Sequence, residues 1–261
     1  MKYPLILLTI LIIILTSCSG APTAEVNAVP TEKLTFKNTV VSLTFDDGNV
    51  DNFAARSILA RNNLHATFYI VSKFTRRKDY MSPDQLRILY KDGNEIGGHT
   101  VSHVKLDEVR GADLKREVCQ NRLDLMALGF NVVSFAYPFG YYDEESKQAV
   151  MDCGFNNARI VTDGPDSIPP DDVYALRAMP YVVADTRVAK LKRYVTQVED
   201  NGGGWVILIF HHLCYKCDKY AIEPAWFTRF AQWLNEQQSN GLVVKTVGEV
   251  VGGEVKPGVE P

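Results

Sequence analysis

Three short stretches hold most of the side chains in this sequence that can do chemistry. Thr44-Phe45-Asp46-Asp47-Gly48 sets two carboxylates directly behind an apolar, β-branched run. Adjacent carboxylates at the end of a buried strand are costly unless both find partners, and Gly48 permits the tight turn that aims them out of the strand end. His99-Thr100-Val101-Ser102-His103 spaces two histidines at i and i+4, which puts both rings on one face of a helical turn and suits metal chelation. Ile207-Leu208-Ile209-Phe210-His211-His212 ends an apolar strand in two histidines, and four of the chain's five histidines lie in these last two stretches.

Two histidines and one aspartate make a facial set with open positions for water, suited to catalytic Zn²⁺ or a similar divalent ion. Asp46 and Asp47 are adjacent, so their side chains diverge. One can ligate while the other accepts a proton from water activated at the metal. A histidine from another strand end can protonate the leaving group. These parts add up to metal-assisted hydrolysis of an amide or an ester.

Such a constellation needs a scaffold that brings distant strand ends together. From about residue 38 the sequence alternates strand-like and helix-like stretches. Strand patterns fall at Val40–Phe45, Ala66–Val71, Glu95–Gly98, Val132–Ala136, Ala158–Val161, Val182–Val183, Trp205–Phe210 and Val243–Val247. Helical spacing covers Asp51–Asn62, with Asp51 as its cap, and a helix opening at Ser82-Pro83-Asp84 runs to Lys91. Further helices are read at Asp113–Leu128, Glu144–Asp152, Val188–Glu199 and Ala225–Gln237. Repeated β-α units of this size imply an α/β fold with working residues at the C-terminal strand ends. About seven or eight strands favour a single barrel over an open sheet.

The 261 residues are 46% hydrophobic and 23% charged, with a formal net charge of −3. That excludes a strongly basic nucleic-acid binder and a disordered chain. Lys2, the apolar run Leu5–Leu15 and the small residues that follow form a secretory pattern, too short for the roughly 20 residues of a membrane span. Leu15-Thr16-Ser17-Cys18 resembles a bacterial lipobox, in which Cys18 becomes the lipid anchor. The expected organisation is a signal segment over 1–17, a flexible tether over 18–37, a catalytic domain over 38–252 and a tail over 253–261. The expectation is an exported lipoprotein, monomeric and anchored on the extracytoplasmic side of the membrane.

Cys119, Cys153, Cys214 and Cys217 remain. An exported chain can hold disulfides, and four cysteines allow three connectivities. Cys214-Tyr-Lys-Cys217 reads as a local bridge, half a zinc site or a redox pair. No second C-x-x-C completes a zinc set, so the local bridge is preferred, and Cys119 would then join Cys153 across two helices.

Over residues 38–250 the chain resembles the polysaccharide deacetylases of carbohydrate esterase family four, the NodB-homology domain. Thr44–Gly48 matches that family's first motif, which implies that Asp46 is the base and Asp47 a metal ligand. His99–His103 matches its H-[ST]-x-x-H motif, implying two further ligands. Tyr137-Pro138-Phe139-Gly140 resembles the motif that lines the substrate groove, where the Phe139 backbone N–H would help hold an oxyanion. Leu208–His211 resembles the last motif and implies that His211, rather than His212, is the general acid. The family fold is a distorted (β/α) barrel, its partner a polysaccharide, and its metal Zn²⁺, with Co²⁺, Mn²⁺ or Ni²⁺ as alternatives.

Two features depart from the family pattern. The arginine that orients the catalytic aspartate is replaced by Ala136, and no clear Asp-x-x-Asp-Trp motif appears, although Asp163–Asp166 lie in the right region. Arg177, or else Arg159, would then reach Asp46. The resemblance implies deacetylation of an N-acetylated glycan, with O-deacetylation of acetyl-xylan as the alternative. A lipid-tethered glycan-binding protein with a vestigial site is the alternative of another class. Tyr137, Tyr141, Tyr142, Trp205, Tyr215 and Tyr220 could stack sugar rings.

Overall fold

A computed structural model describes residues 36–162 and 164–261. The expected signal segment, Cys18, most of the tether and Asp163 lie outside the described residues. The chain divides between residues 33 and 34, and only the second unit, Leu34–Pro261, is described below.

The central strand is β1 (Thr39–Phe45), whose side chains alternate between two environments. Val41, Leu43 and Phe45 join the large core under the helices. Ser42 and Thr44 point to the other face, where Ser42 Oγ accepts from Trp205 Nε1 at 2.9 Å and Thr44 Oγ1 donates to Leu208 O at 2.9 Å. The same period of two runs along β6 (Gly204–Phe210): Val206, Leu208 and Phe210 face the helices, while Trp205, Ile207 and Ile209 form a small inner cluster with Leu176, Ala178 and Val247.

The other strands are β2 (Thr67–Ile70), β3 (Glu95–Gly98), β4 (Ser134–Ala136), β5 (Asn157–Arg159) and, beyond β6, β9 (Val243–Val244). They form a seven-stranded, wholly parallel sheet in the order β5-β4-β3-β2-β1-β6, with β9 on the first half of β1. The last residues of β1 pair with the first of β2, Thr44↔Thr67 and Phe45↔Phe68, so β2 runs on past the end of β1. The gap between β5 and β6 is bridged by an irregular segment. Leu176 N donates to Ala158 O and Ile160 N to Leu176 O, while Met179 N and Val182 N donate to Ile207 O and Ile209 O. The curled sheet with its helices is a distorted (β/α) barrel, as expected, but Val182-Val183 closes it as irregular chain rather than as a strand.

The helices are α1 (Ala55–Arg61), α2 (Pro83–Lys91), α3 (Gly111–Lys115), α4 (Asn121–Ala127), α5 (Glu144–Asp152), α6 (Val188–Asp200), α7 (Pro224–Gln238) and α8 (Val247–Val251). A π turn at Arg116–Gln120 joins α3 to α4. The last strand is shorter than the Val243–Val247 reading and stops at Val244. Thr246 caps α8 through a capping box with Glu249, ending the extended run. Asp51 is corrected too: it lies inside a 3₁₀ turn, Val50–Ala54, and caps no helix. A separate parallel pair, β7 (His212–Leu213) with β8 (Ala221–Ile222), follows β6. Disulfides join Cys119 to Cys153 and Cys214 to Cys217, the expected pairing. The C-terminal tail is held along its backbone, where Arg122 donates to the carbonyls of Lys256 and Pro257.

Candidate active site

Asp46 and Asp47 leave β1 in different directions because the chain turns left-handed between them. Asp46 N still continues the sheet ladder onto Phe210 O at 2.9 Å, whereas Asp47 and Gly48 have φ of 70° and 77°. A Cβ on Gly48 would come within 3.0 Å of Ile70 Cδ1, so residue 48 has neither the backbone freedom nor the room for a side chain.

Asp46 is buried and clamped. Arg159 Nη2 donates to Oδ1 at 2.7 Å and to Oδ2 at 2.6 Å, and the guanidinium is fully buried above the Tyr69 ring. Arg159 comes from β5, at the position paired in register with Ala136 of β4. The arginine missing from position 136 is therefore supplied by the neighbouring strand at the same level. The expectation for Arg177 is corrected: residue 177 is exposed, and it is its backbone N–H that donates, to Asp166 Oδ2, while Asp46 is held by Arg159.

His99 and His103 do converge, but not on a helical turn. Thr100 and His103 have φ of 64° and 62°, and the ring centroids sit 5.0 Å apart. The bend is pinned from the helical side. Asn121 Oδ1 accepts from His99 N, and its Nδ2 donates to Ile70 O and Thr100 O, while the Glu117 carboxylate accepts from Ser102 N and Oγ. Asn121 was not singled out in the sequence, because a polar residue inside a helix looks like solvated surface until its depth is known.

The donor set fits a divalent cation. His99 Nδ1 lies 2.7 Å from Ala136 O, which can only accept, so Nδ1 carries the proton and Nε2 offers a lone pair. That lone pair faces Asp47 Oδ1 at 3.5 Å, and His103 Nε2 stands 3.1 Å from the same oxygen. Among the described residues, Asp47 Oδ1 is buried without a hydrogen-bond partner. Lone pairs from three residues converge within 4.8 Å of one another, an arrangement that a cation between them satisfies.

These groups line a cleft of about 250 Å³ together with Phe139, Tyr181, His211, Lys219 and Tyr220. His211 Nε2 lies 4.0 Å from Asp46 Oδ2. Its ring sits between Tyr181 and Tyr220, with centroids at 5.2 and 5.3 Å. Burial pushes the His211 imidazole below its ordinary pKa, against the opposing charges of Asp46 and Asp47. His212 turns away to Asp51. Phe139, with φ of 59° and 48% exposure, covers His103 at a centroid distance of 4.6 Å. Three expected sugar-binding positions are corrected. Tyr137 and Pro138 are buried, and Tyr137 Oη donates to Tyr174 O. Trp205 is likewise inside the barrel. Tyr181 joins the cleft from the irregular closing segment, where no periodic pattern marks it.

Residues 33–158 match the family model for polysaccharide deacetylases. A chitin deacetylase from Arthroderma benhamiae is 25% identical over 82% of this chain and 52% of its own length. A chitooligosaccharide deacetylase from Sinorhizobium fredii is 28% identical over 40% of this chain and 49% of its own. The chain thus spans about half the length of these curated relatives. Among solved structures, a family 4 carbohydrate esterase from Streptomyces lividans in complex with acetate matches with a TM-score of 0.56 at 16% identity. That match covers 79% of this chain and 92% of the other, and it shows the shared fold.

Proposed function

We propose that this chain, which belongs through residues 33–158 to the polysaccharide deacetylase family, hydrolyses acetamido groups on an N-acetylated glycan outside the membrane. The observation that carries this reading is the Arg159-clamped Asp46 carboxylate beside the Asp47, His99 and His103 donors in one cleft with His211. A divalent ion held by Asp47, His99 and His103, most simply Zn²⁺, would polarise the acetyl carbonyl and acidify a water.

Asp46 is the base. Arg159 fixes its orientation and keeps both oxygens loaded with one donor, leaving lone pairs free for a water proton. His211 rests neutral because it is buried, so it takes up a proton during the reaction and passes it to the departing nitrogen. Asp46, 4.0 Å from His211 Nε2, is the nearest carboxylate to supply it. The Phe139 backbone N–H serves the developing oxyanion. Tyr181 and Tyr220 exclude water from the His211 ring. Amide and water become acetate and amine. Arg159 removes the motive for reading the site as vestigial. Export and anchoring through Cys18 place the enzyme where such glycans are met.

The test is acetate release from chitin oligomers, peptidoglycan fragments and acetyl-xylan, with and without EDTA. We expect release from the N-acetylated substrates, abolished by EDTA. Asp46→Asn should lower it about 100-fold or more while the protein still binds one metal equivalent. Undiminished release by that variant refutes the assignment of the base, and release from acetyl-xylan alone refutes the N-acetyl substrate.

A further inference from the structure

The Cys214–Cys217 bridge does not stand alone. His212, two residues before it, points its Nδ1 at Asp51 Oδ2 at 2.8 Å. Cys217 Sγ lies 4.0 Å from the same oxygen. The other oxygen of Asp51 is held by the protein, accepting from Leu213 N and Asn52 Nδ2, both at 3.2 Å. Asp51 therefore presents one fixed, outward oxygen to an imidazole and two sulfurs. The donor atoms of Asp51, Cys214 and Cys217 all fall within 4.8 Å of one another. None of the four residues belongs to the Asp47, His99 and His103 set.

We propose that Asp51, His212, Cys214 and Cys217 form a second metal site, which a zinc-type divalent ion enters when the Cys214–Cys217 bridge is reduced. Two thiolates, an imidazole and a carboxylate are a tetrahedral zinc donor set. With bonds of about 2.0 to 2.3 Å, neighbouring donors in such a site stand roughly 3.3–3.8 Å apart. His212 meets Asp51 but stands outside the 4.8 Å group, so on reduction its ring and the parted sulfurs must close in around the ion, a movement of side chains on a short exposed loop. The C-x-x-C spacing supplies two sulfurs from one turn, and the turn after β1 supplies the carboxylate, so the ion would tie the β7–β8 loop to the first strand end.

Reduction takes two electrons, either from a dithiol that becomes a disulfide or from a phosphine that becomes its oxide with oxygen from water, and the Cys214–Cys217 bond breaks into two thiols. The metal then displaces both thiol protons as the two sulfur–metal bonds form. Access favours this pair: Cys217 is exposed, whereas Cys119 and Cys153 are buried. The oxidised form keeps Asp51 and His212 paired with each other and leaves no sulfur ligand. The site lies one residue from His211, on the strand pair whose connection carries Lys219 and Tyr220 to the cleft.

The experiment is a Co²⁺ titration of the full chain before and after treatment with tris(2-carboxyethyl)phosphine, following thiolate-to-cobalt charge-transfer absorption. The Asp47 site has no sulfur and is silent in that band. The expected result is no band in the oxidised protein and, in the reduced one, a band that accounts for one bound cobalt per chain beyond the ion taken up at the Asp47 site. It should be lost in C214S/C217S and kept in C119S/C153S. His212→Gln and Asp51→Asn should each weaken the bound cobalt about tenfold or more. The proposal is overturned by reduced protein without the band, by a band that survives C214S/C217S, or by unchanged affinity in both His212→Gln and Asp51→Asn.

Discussion

Arg159 and Asp46 hold opposite charges at the floor of the cleft, where Arg159 is fully buried and only an edge of the Asp46 carboxylate meets water. Such a pair repays its desolvation only while both partners stay bonded. Arg159→Ala leaves a carboxylate buried and uncompensated, and should destabilise the protein by about 3–5 kcal/mol in urea unfolding. Acetate release should fall with it, because Asp46 loses its orientation. Arg177→Ala removes an exposed side chain and should shift stability by no more than about 0.5 kcal/mol, with activity intact. An equal loss in both variants would contradict the placement of Arg159 as the clamp. The same logic separates Asp47 from Asp46. One carboxylate faces lone pairs and wants a cation, while the other faces a guanidinium and stays free to accept a proton.

At the scale of elements, the inner face of the sheet is tied by a buried carboxylate. Glu95 on β3 accepts from Thr67 of β2 at 2.7 Å, Ser134 of β4 at 2.5 Å and Gly248 N of α8 at 3.0 Å. Burial raises its carboxyl above the ordinary 4.5, and the hydrogen bonds from Gly248, Ser134 and Thr67 only partly offset that. A raised carboxyl favours the folded state fully below pH 4.5 and loses that contribution as pH climbs through the raised value. Glu95→Gln does not titrate, and the Thr67 and Ser134 hydroxyls can rotate to suit it. Its melting temperature relative to the parent should therefore rise between pH 4.5 and pH 7. A difference that is flat across that range would show that Glu95 stays ionised in the fold. The tie sits at the opposite end of the strands from the cleft, so acetate release should be little affected.

Over the whole molecule, the two disulfides do different work. Cys119–Cys153 spans 34 residues and joins the π turn after α3 to the end of α5, whereas Cys214–Cys217 spans three. Loop-closure entropy then assigns about 3–4 kcal/mol to the long bridge and under about 2 kcal/mol to the short one. Cys119→Ala with Cys153→Ala should lower the urea midpoint clearly, and Cys214→Ser with Cys217→Ser only slightly. The reverse order would mean that the β7–β8 loop, rather than the helical layer, limits unfolding. The long bridge also lies near the point where Arg122, which donates to Cys153 O, gathers the C-terminal tail. The tail over 253–261 is thus fastened to the domain by its backbone.

Residue type and local spacing settled much of this protein in advance. Alternating apolar runs closed by turn residues mark the strands, and chemistry-bearing residues at strand ends mark the site, because both signals are written within a few neighbours of one another. The parallel barrel and a set of two histidines with one carboxylate were legible in that way, whereas Asp47 as the ligand and His211 over His212 followed from the resemblance to the deacetylase motifs. Whatever depends on contacts between distant segments was not. Positive φ at Thr100 and His103 replaced a helical turn, because Asn121 and Glu117, from the helix beyond, hold the bend. Tyr137 and Trp205 turned inward, away from any glycan. Asp51 traded a helix cap for His212, 161 residues away. Only strand register put Arg159 beside Ala136, and so decided which guanidinium, out of two that the sequence allowed, reaches Asp46.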